Sequence, residues 1–228
     1  MSAMRVEELF PVHGRLDLGA PAPFNDVDPE TLLPARATAD GTLRRMLLSA
    51  LVLFAQRGYH AVPVREIARG AGIRASSMYE HRASKEKLLL DLMLIGHEEH
   101  RAWLIEARQS AAGSPRGEIE AVMRAHVRFH ATYPMLARVC NRELGSLSDE
   151  SLAQVLEVRR SGERLFISII EAGVDAAVFT VPDSYLATAA IGAMGIRVAE
   201  WYRPNAEVSI EAVADAYALF TLRLLGAA

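Results

Sequence analysis

Seven histidines and one cysteine, Cys140, are the side chains of this 228-residue chain best suited to bind a metal or attack an electrophile. His126 and His130 stand four apart and His97 and His100 three apart, so each pair shares a helix face and could hold a metal ion. No cysteine or carboxylate cluster joins either pair at a recognised motif spacing. Glu98-Glu99-His100 has the wrong order for the His-Glu-x-x-His of metalloproteases. No metal and no other cofactor is therefore expected. Cys140 lies in a short apolar stretch, as an inert core thiol does. Gly70-Ala71-Gly72 follows no strand, so it is turn chemistry and not a phosphate cradle. No nucleophile, base and orienter can be assembled from these residues, and the chain is not expected to be an enzyme.

A different chemistry is legible between Arg65 and Lys87. Ser76 and Ser77 open a short helix with small hydroxyls that can approach base edges in a DNA major groove. Tyr79, His81 and Lys85 follow as phosphate contacts, and Arg44, Arg45, Arg65, Arg74 and Ala75 complete the expected DNA-contacting set. Charge points the same way. Between Arg36 and Lys87 ten Lys or Arg stand against four Asp or Glu, although the whole chain is net −3, so a basic head sits on an acidic body.

The elements that must hold these residues follow from apolar spacing. Leu43, Leu47, Ala50, Leu51 and Phe54 mark a helix that Gly58 stops, and Pro63 stands where a second begins. Ile67, Ala68 and Ala71 give that second helix a stripe, Gly72 permits a sharp turn, and Ile73 re-enters the core. Ala75 and Met78 can pack inward from a third helix.

Residues 43–89 resemble the DNA-binding domain of the tetracycline-repressor (TetR) family. The matching pieces are Leu53-Phe54, Gly58-Tyr59, Ile67-Ala68, Ala71-Gly72-Ile73, Met78-Tyr79-Glu80-His81 and Ser84-Lys85-Glu86. Val62 and Pro63 depart from the family's usual hydroxyl residue, Arg74 from its N-cap, and Arg82 from its core Phe. Arg82 either snorkels toward the backbone or adds a phosphate contact.

The division expected is an irregular proline-rich arm over 1–36, a helix-turn-helix domain over 37–87, and an effector-binding and dimerisation domain over 88–228. The arm either reaches an adjacent groove through Arg36 or is a loosely packed tail. Periodicity makes the whole chain all-α, about nine helices, with one long helix from Ser84 to Ser110 joining head to body. The last two helices, about Asp183 to Tyr202 and Ser209 to Leu225, are apolar on several faces, which fits a four-helix bundle between two subunits. The resemblance implies such a homodimer on palindromic double-stranded DNA. No segment is long enough to span a bilayer and no signal peptide is recognisable, so a cytoplasmic protein with no membrane partner is expected.

Trp103, Met123, Phe129, Tyr133, Phe166, Ile170, Met194 and Trp201 either line an apolar cavity in the body or fill its core. The resemblance implies an effector there whose binding moves the long helix. The segments Asn141-Arg142-Glu143-Leu144 and Trp201-Tyr202-Arg203-Pro204 also resemble actinobacterial regulators, some of which sense acyl-CoA or steroid-derived CoA thioesters. That implies an apolar tunnel with Arg142 and Arg203 toward its mouth. The reading is a ligand-responsive regulator, a repressor released by a small apolar effector. The alternative is an architectural or activating DNA-binding protein without an effector.

Overall fold

The computed structural model describes residues 32–35, 37, 41–76, 84–111, 113–203 and 208–227. Expectations for the arm before residue 32, for Arg36, and for Ser77, Met78, Tyr79, His81 and Arg82 lie outside these residues. Among them every regular element is helical.

The head begins with α1, Gly41–Arg57, which buries Met46, Leu47, Ala50, Leu51 and Phe54 at helical spacing. The short helix α2, Val64–Gly70, buries Ile67 and Ala68. Pro63 sits at its N-cap with an extended backbone, one place before the first helical residue. Val62, which replaces the family's hydroxyl, is fully buried, so its methyls serve the core instead. Gly72 takes φ +70° after α2 and lets the Ile73 amide donate back to Ala68 O at 3.0 Å. The next helix starts at Ala75 and Ser76, both exposed, so Ala75 does not pack inward. Two side chains of α1 brace the turn: Arg45 Nε donates to Ala71 O at 3.0 Å and Ser49 Oγ to Ile67 O at 3.0 Å.

Ser84 caps α3, Lys85–Ser110, by accepting from the Lys87 amide. Then come α4, Pro115–Thr132, with proline in its first turn, and the short α5, Pro134–Arg142. A 3-10 turn, Leu144–Ser146, leads to α6, Asp149–Asp175. The expected single helix from Asp183 to Tyr202 is instead α7, Ser184–Ile196, and α8, Val198–Trp201, parted by a turn at Arg197. The last is α9, Ile210–Leu224.

The head's core does not end at Lys87. Leu88, Leu89, Leu92 and Met93 of α3 and Leu136, Val139 and Cys140 of α5 pack in one cluster with Met46, Phe54 and Ile67. At about 1.5–3 kcal/mol for each large apolar side chain fully buried, this shared cluster welds head to body. Leu32 and Leu33 are buried in it too, so the described end of the arm is packed.

A polar clasp supplements the weld. Glu86 Oε1, in the first turn of α3, accepts from the Ser148 amide at 3.0 Å, from Ser148 Oγ at 2.6 Å and from Ser151 Oγ at 2.9 Å at the start of α6. These donors, the Ser148 hydroxyl foremost, hold the Glu86 carboxyl below the usual carboxylate range. A depressed folded-state value means the clasp stabilises the fold fully above the unfolded value of about 4.3 and loses that effect as pH falls through the folded value. Glu86→Gln should therefore lower stability to urea at neutral pH. Its difference from the parent should shrink in acid; a pH-independent difference would rule out the carboxylate as its source.

Candidate functional site

A cavity of about 280 Å³ lies between five helices of the body. Helix α3 contributes Gly96, His97, His100 and Arg101, and α4 contributes His126, Phe129 and His130. Ala137, Cys140 and Asn141 of α5 form a third wall, and Arg159, Gly162, Glu163 and Phe166 of α6 a fourth. The side toward solvent is α7, through Tyr185, Thr188, Ala189, Gly192 and Ala193.

The cavity is apolar on one side and lined with imidazoles on the other. Burial lowers His97 and His126 to about 4, and the nearby Arg159 cation acts in the same direction on both. For His126 the Gly192 carbonyl opposes this. His100 and His130 are pushed well below the ordinary histidine value, again chiefly by burial and then by His126. The four rings are thus neutral near pH 7. His100 Nε2 lies 2.8 Å from His126 Nδ1, His126 Nε2 lies 3.1 Å from Gly192 O, and His130 Nδ1 lies 2.8 Å from His126 O. Arg159 donates to Asn141 Oδ1 at 3.0 Å and pairs with Glu163 at 3.3 Å.

Two buried polar atoms of the cavity lining, His97 Nε2 on α3 and Thr188 Oγ1 on α7, have no hydrogen-bond partner among the described residues. Leaving such a group unsatisfied costs about 1–3 kcal/mol. A ligand that placed a polar atom there would recover part of that cost, so the cavity suits an apolar body carrying a hydrogen-bonding group. Cys140 has no such role: burial pushes its thiol up to about 12.

Of the residues expected to bind a ligand, Phe129 and Phe166 line the cavity. Met123 and Ile170 are buried in the body core, against which Met194 and Trp201 also pack. Trp103 stands edge-on to Phe129 at 5.9 Å and donates its indole N–H to Glu99 at 2.7 Å, while Tyr133 packs behind Phe129 at 5.6 Å. Arg142 pairs with Glu200 at 2.7 Å, and Arg203 donates to the Tyr202 and Glu200 carbonyls. None of these lines the cavity. His97, His100, Asn141, Arg159 and Thr188 do, and only the histidine pairs carried a spacing signal beforehand.

On the head, Arg65, Arg74 and Ser76 are exposed and Arg44 is half-buried. Lys85 Nζ sits 4.1 Å from the centre of the Tyr59 ring, a cation–π contact, and burial lowers its pKa.

Residues 47–92 match the family described as bacterial regulatory proteins, tetR family, and residues 112–225 the tetracyclin repressor-like C-terminal domain. The chain is similar to the HTH-type transcriptional repressor KstR2 of Rhodococcus jostii (strain RHA1), 29% identical over 188 residues covering 81% of this chain and 92% of that protein. Among solved structures, a tetR-family regulatory protein from Rhodococcus RHA1 is 32% identical, with a TM-score of 0.78, covering 83% of this chain and all of that one (100%). AibR, solved in complex with isovaleryl coenzyme A and operator DNA, shares the fold at 18% identity, TM-score 0.73, over 82% of this chain and 100% of its own.

Gly162 on the cavity wall and Gly195 behind the His126 ring should respond oppositely to the same change. A Cβ at Gly195 would lie 2.0 Å from His126 Cδ2, whereas one at Gly162 meets only Leu104 Cδ1, at 3.8 Å. Gly195→Ala should destabilise the protein by about 1–3 kcal/mol through overpacking. Gly162→Ala should stabilise it by about 0.5–1 kcal/mol through helix propensity. Urea denaturation checks both; equal effects would mean that the histidine wall yields freely.

Proposed function

Because the chain belongs to the tetR family of bacterial regulatory proteins, we propose that it is a repressor whose homodimer holds a palindromic operator and is released by an apolar effector of the acyl- or steroid-CoA class. The observation that carries this reading is the double role of α5. Ala137, Cys140 and Asn141 line the cavity, while Leu136, Val139 and Cys140 pack in the core of the head. A ligand that prefers one placement of α5 therefore acts on the placement of the head. A difference in affinity worth about 1–3 kcal/mol between two arrangements suffices, and linkage requires operator DNA to weaken effector binding by the same factor.

The volume bears on the ligand. About 280 Å³ is near the lower end for small-molecule sites, so it suits an acyl chain or ring system and leaves a CoA nucleotide outside. Arg101, exposed on the cavity wall, and Arg159 are the cations suited to phosphates there, in place of Arg142 and Arg203. The named relatives support the class: KstR2 is a repressor, and AibR has been seen with isovaleryl coenzyme A and operator DNA. On the head, Ser76 and Ser77 are the base readers, with Arg44, Arg45, Arg65, Arg74, Tyr79, His81 and Lys85 on phosphates.

The dimer reading rests on apolar side chains exposed in one protomer. Tyr185 and Leu186 of α7 are 66% and 63% exposed, and Leu219, Phe220 and Leu224 of α9 are 38%, 37% and 39% exposed. Beside them Arg124 and Arg128 of α4 pair with Asp215 and Glu211 of α9, which fastens that helix to the body.

Gly162→Met should fill the cavity without touching the head. Operator affinity in gel-shift titrations should stay at the parent's value, while release by acyl-CoA or steroid-CoA probes should need at least about tenfold more ligand, as a coupling of this size allows. Parent protein that holds its operator at every concentration of these probes would instead favour the regulator without an effector. Leu186→Glu and Phe220→Glu should each raise the monomer fraction steeply in sedimentation, since a charge would enter a dry interface. Unchanged dimers in both variants would move the interface elsewhere.

A further inference from the structure

Half-buried His100 and the buried His126 and His130 form a cluster whose geometry exceeds what packing requires. One ring nitrogen each of His100, His126 and His130 lies within 4.8 Å of the other two, and the ring centres of His126 and His130 are 4.5 Å apart. A void of this kind could be filled by aliphatic or phenyl groups with no polar atom to satisfy. What distinguishes the cluster is which nitrogens the neighbouring carbonyls engage. A carbonyl only accepts hydrogen bonds, so His126 Nε2 must carry the proton it gives to Gly192 O, and His130 Nδ1 the proton it gives to His126 O. Lone pairs are thereby left on His126 Nδ1 and His130 Nε2. Such anchoring of the second ring nitrogen orients metal-ligating histidines. His100 Nε2 now donates to His126 Nδ1; moving the His100 proton to Nδ1 frees a third lone pair, and an ion would take the place of the shared proton.

We propose that His100, His126 and His130 form a three-histidine site for a divalent transition-metal ion of the zinc class, with its open coordination position facing the cavity. Three imidazoles and no thiolate or carboxylate suit zinc, cobalt or nickel rather than magnesium or calcium. Nitrogens about 2.0–2.1 Å from a common tetrahedral ion lie roughly 3.3 Å apart. Binding would therefore require the 2.8 Å His100–His126 contact to open slightly and His130, within 4.8 Å, to close. Burial keeps the imidazoles unprotonated, and His97 Nε2, unpartnered on the same wall, is available to a water or ligand atom on the ion. The ion would tie α3, which carries the head, to α4. The site stands whether or not the cavity also takes a CoA thioester.

The test uses untagged, metal-free full-length protein and its His100→Gln, His126→Gln and His130→Gln variants. Cobalt(II) should bind at one equivalent per chain and show the visible d–d absorption of a low-coordinate nitrogen site. Each variant should lose that spectrum, and zinc affinity by calorimetry should fall by at least about tenfold, the smallest loss typical of disturbed ligation. Parent protein without the cobalt spectrum overturns the site even if the variants fold poorly. So does a spectrum that persists in all three variants, which would place the ion at another histidine. Operator release by CoA thioesters in metal-free protein is a separate readout, so failure of the ion site leaves the repressor reading to be judged on its own.

Discussion

The close crossing of α3 and α5 is the contact on which the rest of the molecule depends. At Gly96 an added Cβ would lie 2.4 Å from Cys140 Sγ and 3.1 Å from Leu136 Cγ, so only glycine lets the two helices approach this far. Gly96 and Cys140 both line the cavity, while Leu136 and Cys140 both belong to the core of the head. Cavity and head thus share atoms. Close-packed interiors do not deform continuously, so any displacement of α5 is felt in both the cavity and the core of the head. The position of α5 is also held from outside: Arg138, its side chain 2% exposed, lies 3.3 Å from Glu200, and Arg142 pairs with the same carboxylate. Breaking a buried pair of this kind costs about 3–5 kcal/mol, so the Arg138 side of the helix is firmly held.

The cavity wall follows from a second balance. Burial favours neutral imidazoles, and the surrounding carbonyls dictate which nitrogen bears each proton. A wall of this kind offers donors and lone pairs without net charge. It can therefore face an apolar ligand body without the desolvation cost that a buried charge would impose. Arg159 sits at the edge of the imidazole set, engaged by Asn141 and Glu163, and supplies positive potential near the wall without entering its centre.

Charge is distributed as the two tasks demand. Arg45, Arg57, Arg65, Arg69 and Arg74 of the head are exposed, and such cations attract polyanionic DNA. On the body, arginines pair with carboxylates across helices, as Arg108 with Glu118 and Arg124 with Asp215, and leave the outer faces of α7 and α9 apolar. Charges that are internally paired add little affinity for DNA and keep that affinity concentrated in the head.

Most of the architecture was legible in the sequence because it rests on local rules. Apolar spacing marked α1, α3 and α9, and Gly72 marked the turn between the reading helices; Ser84, Ser114, Ser148 and Ser209 then cap α3, α4, α6 and α9. The motif around Ile67, Gly72 and Ser84 carried the family. What the sequence left open was which faces meet. Trp103, Met123 and Trp201 had the same apolar character as Phe129 and Phe166, and only helix crossings separate core from cavity wall. Neither His97/His100 nor His126/His130 is accompanied by a cysteine or carboxylate cluster at a recognised motif spacing, so neither pair signals a metal site along the chain. The crossing of α3 and α4 brings His100 to His126 and His130, and the nearby Gly192 carbonyl fixes a proton, relations between residues 26 and 66 apart that no periodicity encodes.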